Sequence, residues 1–294
     1  MSGPIFTSFR KLMKPYIETI DFHGTEALRL RGPKGSSAVI SRLGGQVLSW
    51  VTPDGRERLF LSDKAVFDGS NPIRGGVPVC FPQFSGQGCL PHHGFLRTRH
   101  WDVAAQRSGD DYALVTMETS DDEATRQLWP HAFRVELTLM LETDRIDLEL
   151  CVANTGESDF DFTGALHTYL RTIQVEDVAL EGLYGYNYCD AVKGRQVVRE
   201  TGTHLSVEQK VDRIYRDVRR PQLLQAGNLS LGIQSQGFPD VVVWNPWVEQ
   251  CAALPDMPAD GWRHMLCVEA AVATEAVTVE PGDEWYGRQT LVAV

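Results

Sequence analysis

The sequence predicts an all-β protein, and three observations carry that prediction. Apolar and polar residues alternate along 135–152, which is the pattern of strands that bury one face. Turn-forming residues separate many short strand-like runs. Amphipathic helical stretches are almost absent. Together these features favour a β-sandwich or barrel with few short helices, and we expect residues 1–294 to form a single domain.

The first predicted elements lie at 35–62, where strand-like runs are joined by a Gly-Gly pair and a Pro-Asp-Gly triplet. A short helix is predicted over 120–129. Ser120 and Glu123 fit a capping box at its start, and Pro130 ends it after little more than two turns.

The clearest strands follow this helix. The predicted hairpin pairs 135–141 with 146–152 across a short polar turn, with the apolar residues of each strand on one buried face. The last residues, 275–294, repeat the pattern, since two strand-like runs flank Pro281-Gly282-Asp283. We therefore expect a second hairpin there.

Composition excludes several classes of protein. The formal net charge is −11, which argues against a nucleic-acid partner, although a few arginines can reverse the potential inside one cleft. No apolar run is long enough to cross a membrane, and residues 1–16 lack the apolar core of a secretion signal. The six cysteines show no C-x-x-C spacing, so we expect free, mostly buried thiols and a cytoplasmic protein.

Arginines beside glycines and histidines indicate an anion pocket. Arg74 precedes Gly75-Gly76, and Arg97 and Arg99 follow the histidines of "LPHHGFLRTRHW" (90–101). The planar fork of an arginine can pair two phosphate oxygens. The alternative is a glycine turn with an incidental arginine. A nucleotide-binding P-loop is excluded, because no Gly-Lys-Ser/Thr follows.

Two titratable residues lie in apolar surroundings. Glu269 stands in "LCVEAA", and a carboxylate is rarely buried without a partner; a buried glutamate is a typical general base. His167 stands in "GALHTYL", where a histidine is more often a hydrogen-bonded core residue than a catalyst. Asp212 and Asp240 fit either a binding role or a solvated strand edge.

A metal site is the weaker interpretation of the histidines. His92, His93, His167 and Glu269 are residue types that bind zinc. A pair of ligands at short helical spacing, as in H-E-x-x-H, is missing. We therefore expect no metal.

The order of the motifs resembles the hexose-6-phosphate mutarotases, also called glucose-6-phosphate 1-epimerases, a branch of the aldose 1-epimerase superfamily. The resemblance spans roughly residues 35–290, and its motifs are specific in combination. It implies a galactose-mutarotase-like twisted β-sandwich with an open cleft and no metal or other cofactor. The motifs are "NPIRGGVPVCFP", "PHHGFLRTRHW", "LWPHAFRVELTLML", "LHTYLR", "VDRIY", "VVVWNPW" and "CVEAA".

The resemblance also implies roles for individual residues. His167 would be the general acid and Glu269 the general base of a ring opening. An unperturbed histidine titrates near neutrality, so His167 would give and recover a proton at pH 7. His93 would bind the sugar near its ring oxygen. The remaining substrate ligands would be Arg74, Arg97, Asp212 and, as a weaker candidate, Asp240.

Two positions depart from the family pattern. His92 is an additional histidine with no family role, and we expect it to be incidental. Gln83 stands where an aromatic residue is frequent, so the wall of the cleft is expected to differ there.

The implied function is the exchange of α and β anomers of a hexose 6-phosphate. The partner would be a small sugar phosphate, with no nucleic acid, no membrane and a monomeric protein. Three alternatives stay open: a mutarotase for free aldoses, a non-catalytic carbohydrate-binding protein, and a glycoside hydrolase, which would need two carboxylates such as Asp240 and Glu269.

Overall fold

The computed structural model describes residues 14–294, so nearly all of the 1–16 segment lies outside the described residues. The two α-helices are α1 (Glu123–Leu128) and α2 (Trp247–Ala252). Single 3₁₀ turns cover Pro33–Gly35, Leu96–Thr98, Val175–Asp177 and Gly261–His264. The strands are β1 (Tyr16–Phe22), β2 (Thr25–Arg31), β3 (Ser37–Ser41), β4 (Val47–Val51), β5 (Val79–Cys80), β6 (Asp102–Ser108), β7 (Ala113–Ser120), β8 (Phe133–Leu141), β9 (Arg145–Asn154), β10 (Phe160–Leu166), β11 (Tyr169–Arg171), β12 (Val178–Glu181), β13 (Asn187–Asp190), β14 (Gln196–Arg199), β15 (His204–Leu205), β16 (Val211–Tyr215), β17 (Gln222–Ala226), β18 (Leu229–Gln236), β19 (Asp240–Asn245), β20 (Met265–Val279) and β21 (Glu284–Ala293).

The strands form three sheets. A four-stranded sheet has the order β1-β2-β3-β4. An eight-stranded sheet has the order β14-β13-β16-β19-β20-β10-β5, with β11 also paired to β20. A nine-stranded sheet has the order β15-β12-β17-β18-β21-β9-β8-β7-β6. The prediction of an all-β protein with few short helices is confirmed.

The predicted central hairpin is also confirmed. Strands β8 and β9 pair antiparallel, with Leu141 opposite Ile146 at the turn. Val135, Leu137 and Leu139 of β8 are all fully buried, while the residues between them are partly exposed. Alternation in the sequence therefore becomes one buried and one partly exposed face.

The prediction of a hairpin at the end of the chain is wrong. Both strands exist, as β20 and β21, but they pair with different neighbours. Strand β20 pairs with β10, β11 and β19, whereas β21 pairs with β9 and β18. The turn at Pro281-Gly282 thus carries the chain from the eight-stranded sheet to the nine-stranded sheet.

The predicted helix forms, but with a different cap. Asp122 is the N-cap of α1, and its carboxylate accepts a hydrogen bond from the backbone N–H of Thr125. The Thr125 hydroxyl accepts from the Asp122 N–H in return. Ser120 ends strand β7 instead. Serine and aspartate side chains can both cap a helix. Because Ser120 belongs to strand β7, Asp122 is the residue that caps α1.

One core joins the three sheets. A single cluster of buried apolar side chains draws on each of them, for example Leu30, Ile40, Leu137, Leu148, Leu166 and Val268. All six cysteines lie within the described residues and are free, and four of them are buried, as predicted. Within 14–294, no helix has the length and apolar character needed to cross a membrane.

The central hairpin gives a stability prediction. Leu137→Ala should lower the free energy of unfolding by about 2–5 kcal/mol, because it leaves a cavity in the shared core. Leu128→Ala is the matched control, since that leucine is 53% exposed, and it should cost well under half as much. Denaturant titration of both variants measures the difference, and equal losses would contradict the placement of the core.

Candidate active site

A cleft of about 400 Å³ opens on the eight-stranded sheet. Its floor comes from β11, β16, β19 and β20, and the loops within 72–97 form one wall. The β13–β14 hairpin, α2 and the segment directly after α2 complete the rim. Among the residues that the structure describes, none from the nine-stranded or four-stranded sheet lines this cleft.

The floor of the cleft brings Glu269 and His167 together. Glu269 lies on β20 opposite Val242. His167 occupies the break between β10 and β11, two strands that both pair with β20. His167 Nε2 therefore lies 3.4 Å from Glu269 Oε1. The carboxylate is 1% exposed and the histidine 8% exposed, so the contact is shielded from bulk water.

Each partner also keeps one buried polar atom without a hydrogen bond. Glu269 Oε2 and His167 Nδ1 have none within the described structure. Because buried polar atoms are normally paired, orphaned atoms beside a cleft indicate groups that await a ligand.

Burial shifts the pKa values of the two residues in opposite directions. Burial lowers the pKa of His167 to about 3, and the charges of Arg97 and Arg74 contribute to that lowering. Burial, with a smaller effect of Asp212, raises the pKa of Glu269 well above its usual range. Burial thus disfavours the charged form of each residue, so within the pair it favours the proton on the carboxyl. The expectation that His167 titrates near neutrality is wrong, because it ignored burial.

His93 flanks the pair on one side, with its ring centroid 5.3 Å from that of His167. Its Nδ1 accepts a hydrogen bond from the Ser85 backbone N–H, which leaves Nε2 as the protonated nitrogen of the neutral ring. Gly94 allows this placement. It has φ +71°, and a Cβ there would lie 2.0 Å from the Phe81 carbonyl oxygen.

Arg74 approaches from the other side. Its Nε donates to Asp256 Oδ2 at 3.1 Å, and its Nη1 donates to the Tyr169 hydroxyl at 3.1 Å. The Tyr169 ring stacks on His167 with centroids 4.8 Å apart. Gly76 is required behind Arg74, since a Cβ would lie 2.1 Å from the Val47 carbonyl oxygen. The "RGG" motif is thus a close backbone approach that holds an arginine.

Arg97 also lines the cleft. Its Nη2 donates to the His92 carbonyl oxygen, and its buried Nε has no partner in the described structure. His92 lies in the cleft beside His93, with ring centroids 4.2 Å apart. The interpretation of His92 as incidental is therefore not supported.

Arg99 does not join the other two arginines. Residues Leu96–Thr98 form a 3₁₀ turn rather than an extended segment, so the side chains at 97 and 99 separate. Arg99 is ion-paired with Asp122 at the start of α1. Of the three arginines that the sequence proposed for an anion pocket, only Arg74 and Arg97 line the described cleft.

The two aspartates also separate. Asp212, on β16, lines the cleft, and burial raises its pKa. Asp240 is 2% exposed and lies outside the lining of the cleft. Its Oδ2 accepts hydrogen bonds from the backbone N–H groups of Ala273 and Thr274. The structure does not support the weaker prediction that Asp240 binds substrate, because its side chain lies outside the cleft lining and its Oδ2 is already bonded to two backbone amides.

Other cleft residues escaped the sequence analysis. Tyr169 shares a face with His167 in "LHTYL", and Trp244 lies within a quoted motif, so both had a local signal. The ring centroids of Trp244 and His167 are 5.9 Å apart. Arg195 reaches the cleft from the β13–β14 hairpin, and no pattern in the sequence marks it. Gln83, in turn, lies outside the lining and bonds the Ser85 and Leu90 carbonyl oxygens, which shapes the loop.

The thiol of Cys267 lies next to the His167–Glu269 pair. The ligand atoms of Cys267, His167 and Glu269 lie within 4.8 Å of one another. Burial raises the pKa of the Cys267 thiol, as it does that of the Glu269 carboxyl, so it disfavours the charged form of both groups. A cation requires the deprotonated forms, and Arg74 and Arg97 add positive charge nearby. The cluster therefore fits an acid–base pair packed on a thiol better than a metal centre.

The fold and the cleft place the chain among β-sandwich proteins of the galactose-mutarotase type. The sequence profile of the family described as aldose 1-epimerase matches residues 26–291. This chain belongs to that family. The resemblance drawn from its motifs is thereby confirmed.

Two relatives extend the likeness. A candidate glucose-6-phosphate 1-epimerase from Cenchrus ciliaris is 35% identical over 298 residues, which cover 97% of this chain and 90% of that protein. Another from Escherichia coli K12 is 32% identical over 241 residues, which cover 80% of each chain.

Solved structures agree with the fold. The crystal structure of a candidate mutarotase from Salmonella typhimurium superposes with a TM-score of 0.87 at 26% identity, covering 99% of this chain and 96% of that one. A galactose mutarotase-like protein from Clostridium acetobutylicum gives 0.77 at 15% identity, covering 96% and 99%. The predicted galactose-mutarotase-like fold is confirmed.

The shifted pKa of Glu269 predicts how stability depends on pH. A carboxyl whose pKa is raised on folding favours the native state below its unfolded pKa of about 4.3, and this benefit is lost as pH rises. As the pH rises from about 4.5 to 8, the free energy of unfolding of Glu269→Gln should therefore increase relative to that of the parent, by at most about 1.4 kcal/mol per pH unit. Denaturant titrations across this range measure the difference. Glu275→Gln, exposed on the same strand, is the control, and an identical trend in both variants would contradict the prediction.

Proposed function

We propose that this protein is an isomerase that exchanges the α and β anomers of a hexose 6-phosphate, with glucose 6-phosphate as the first substrate to test. One observation carries the proposal: a buried His167–Glu269 contact lies on the floor of a cleft that also contains Arg74 and Arg97. The names of the relatives support the same reaction.

Anomer exchange requires two proton transfers. In the proposed mechanism, ionised Glu269 takes the proton from the O1 hydroxyl while protonated His167 delivers one to the ring oxygen O5. The C1–O5 bond breaks and leaves an open-chain aldehyde. Rotation about C1–C2 presents the other face of the aldehyde, and the reverse transfers close the ring. The protons balance, so the reaction consumes nothing, and each group is expected to contribute about 10²–10⁴-fold.

The other cleft residues would hold the substrate. His93 Nε2–H can donate to the sugar near O5, since Nδ1 is already occupied by Ser85. The Asp212 carboxyl can bond sugar hydroxyls. Arg74 and Arg97 would bind the phosphate, since both present donor atoms to the cleft and a phosphate accepts charge-assisted hydrogen bonds.

The alternatives are less well supported. A carbohydrate-binding protein has no need of a buried acid–base pair with orphaned polar atoms. A glycoside hydrolase built on Asp240 and Glu269 would need both carboxylates in the cleft, and Asp240 lies outside the cleft lining with its Oδ2 bonded to two backbone amides. A free-aldose mutarotase would use the same floor, and the arginines distinguish it from the proposal.

We further propose that the chain works as a single domain and as a monomer in the cytoplasm. The core cluster joins all three sheets, and side chains of this one chain surround the described cleft. The free cysteines suit a reducing compartment.

The catalytic pair gives the first functional prediction. Glu269→Gln and His167→Asn should each lower the rate of anomer exchange on glucose 6-phosphate by about 10²-fold or more, because each removes a proton-transfer group and keeps hydrogen-bonding capacity. Rapid NMR or polarimetry measures the exchange. A rate above about a tenth of that of the parent, in a folded variant, would refute the assigned role. A chelator should leave the parent unchanged, and a loss on chelation would revive the metal interpretation.

The two arginines of the cleft give the second functional prediction. Arg74→Ala and Arg97→Ala should each lower kcat/KM for glucose 6-phosphate roughly ten- to a hundred-fold. This corresponds to the loss of about 1.5–3 kcal/mol for one charged hydrogen-bonding contact. Free glucose should be used about as poorly as by the parent. The readout is the ratio of kcat/KM for glucose 6-phosphate over glucose. Arg99→Ala, ion-paired outside the cleft, is the matched control. An unchanged ratio in both cleft variants would favour the free-aldose function.

A further inference from the structure

The proposed mechanism requires both members of the His167–Glu269 pair to be charged, and their burial opposes this. Ring opening needs an ionised carboxylate at O1 and a protonated imidazole at O5. Glu269 is 1% exposed and His167 8% exposed, and burial raises the pKa of the carboxyl while it lowers that of the imidazole. Desolvation therefore favours the proton on Glu269 over the charged pair. Moving this proton across the 3.4 Å contact would prepare both groups at once, with no proton taken from solvent.

Both arginines lie close to His167, each connected to it through aromatic rings. On one side, Arg74 Nη1 bonds the Tyr169 hydroxyl, and the Tyr169 ring stacks on His167. On the other side, Arg97 bonds the His92 carbonyl, and the rings of His92, His93 and His167 follow in contact. Two cations therefore act on His167 from both sides of a buried site.

The positive charges of Arg74 and Arg97 near His167 are not fully balanced by carboxylates in the described structure, so a bound anion would change the charge around this histidine. Asp256 already partly balances Arg74, but Arg97 has no carboxylate within ion-pairing distance among the described residues. Arg74 acts on His167 more than on Glu269, because it faces the histidine through Tyr169. The titratable or charged groups that share the cleft with His167, or lie against it, come from every element of the site. They are Glu269 and Cys267 on β20, Tyr169 on β11, Asp212 on β16, Cys189 and Arg195 on the β13–β14 hairpin, and Arg74, His92, His93 and Arg97 on the loops.

We propose that the phosphate of the substrate activates the enzyme as well as anchoring the substrate. A dianion between Arg74 and Arg97 neutralises the two cations beside His167, and the shared proton then moves from Glu269 Oε1 to His167 Nε2. This leaves Glu269 as the carboxylate that takes the O1 proton and His167 as the imidazolium that protonates O5. The inference rests on the proposed function and deepens it: the phosphate affects the chemical step in addition to affinity.

The inference predicts that a free dianion activates the enzyme toward a sugar that lacks its own phosphate. D-xylose is glucose 6-phosphate without the phosphate-bearing C6 group, and inorganic phosphite is a dianion that can take the place of the missing group. Phosphite should raise enzyme-catalysed anomer exchange of xylose in a saturable way. The expected gain is about 5- to 150-fold, the usual range for coupling between two sites. The same phosphite should inhibit exchange of glucose 6-phosphate by competition.

Matched variants separate this effect from buffer catalysis. Glu269→Gln gives the background, because phosphite itself promotes mutarotation in solution. Arg74→Ala and Arg97→Ala should lose most of the activation, and Arg99→Ala should keep it, since its guanidinium is paired with Asp122. Activation that survives in both cleft variants would overturn the proposal.

A spectroscopic measurement tests the proton itself. In protein labelled with ¹⁵N-histidine, the His167 resonances are assigned by their loss in His167→Asn. Phosphite should move them from the neutral to the imidazolium pattern at pH 7. Activation of xylose exchange without this change would mean that phosphite acts by another route, and the proposal would fail.

The outcomes distinguish this inference from the proposed function. If the parent exchanges glucose 6-phosphate anomers while phosphite leaves xylose exchange unchanged, only the activating role fails. If glucose 6-phosphate is not exchanged at all, the proposed function fails and the activating role fails with it.

Discussion

The contact between His167 and Glu269 depends on the register of one long strand. Strand β20 pairs with β10 and then with β11, and His167 stands in the break between those two partners. A shift of one residue along β20 would turn Glu269 into the core and Val268 into the cleft. Tyr169, His93 and the arginine loops are arranged around this contact, and the chemistry of the site follows from its burial.

Local patterns predicted the strands and missed how some of them are paired. The alternation in β8 and β9 involves neighbours in the chain and a short turn, so the sequence contains the whole hairpin. Strands β20 and β21 have equally clear patterns and a good turn, yet each finds a different partner. The difference depends on strands more than a hundred residues away, such as β9 and β10, and no local signal records it.

The same limit applies to the site. Motifs identified His167, Glu269, His93, Arg74 and Arg97, and the structure brings all five to one cleft. Residue type alone could not show that Asp122 would pair with Arg99, or that backbone amides of β20 would occupy Asp240. Nor could it show the shifted pKa values of the pair. That property arises from desolvation and from charges on separate loops, which only the folded chain assembles.

The nine-stranded sheet contributes no side chain to the described cleft, and this has a consequence for how such sequences diverge. Substitutions in the nine-stranded sheet need mainly to conserve size and hydrophobicity, because many apolar combinations fill the same core. Substitutions at cleft positions on β11, β16, β19 and β20 must also conserve the chemical identity of the side chain. Two halves of one molecule can therefore change at different rates. A structure only 15% identical therefore keeps the same fold.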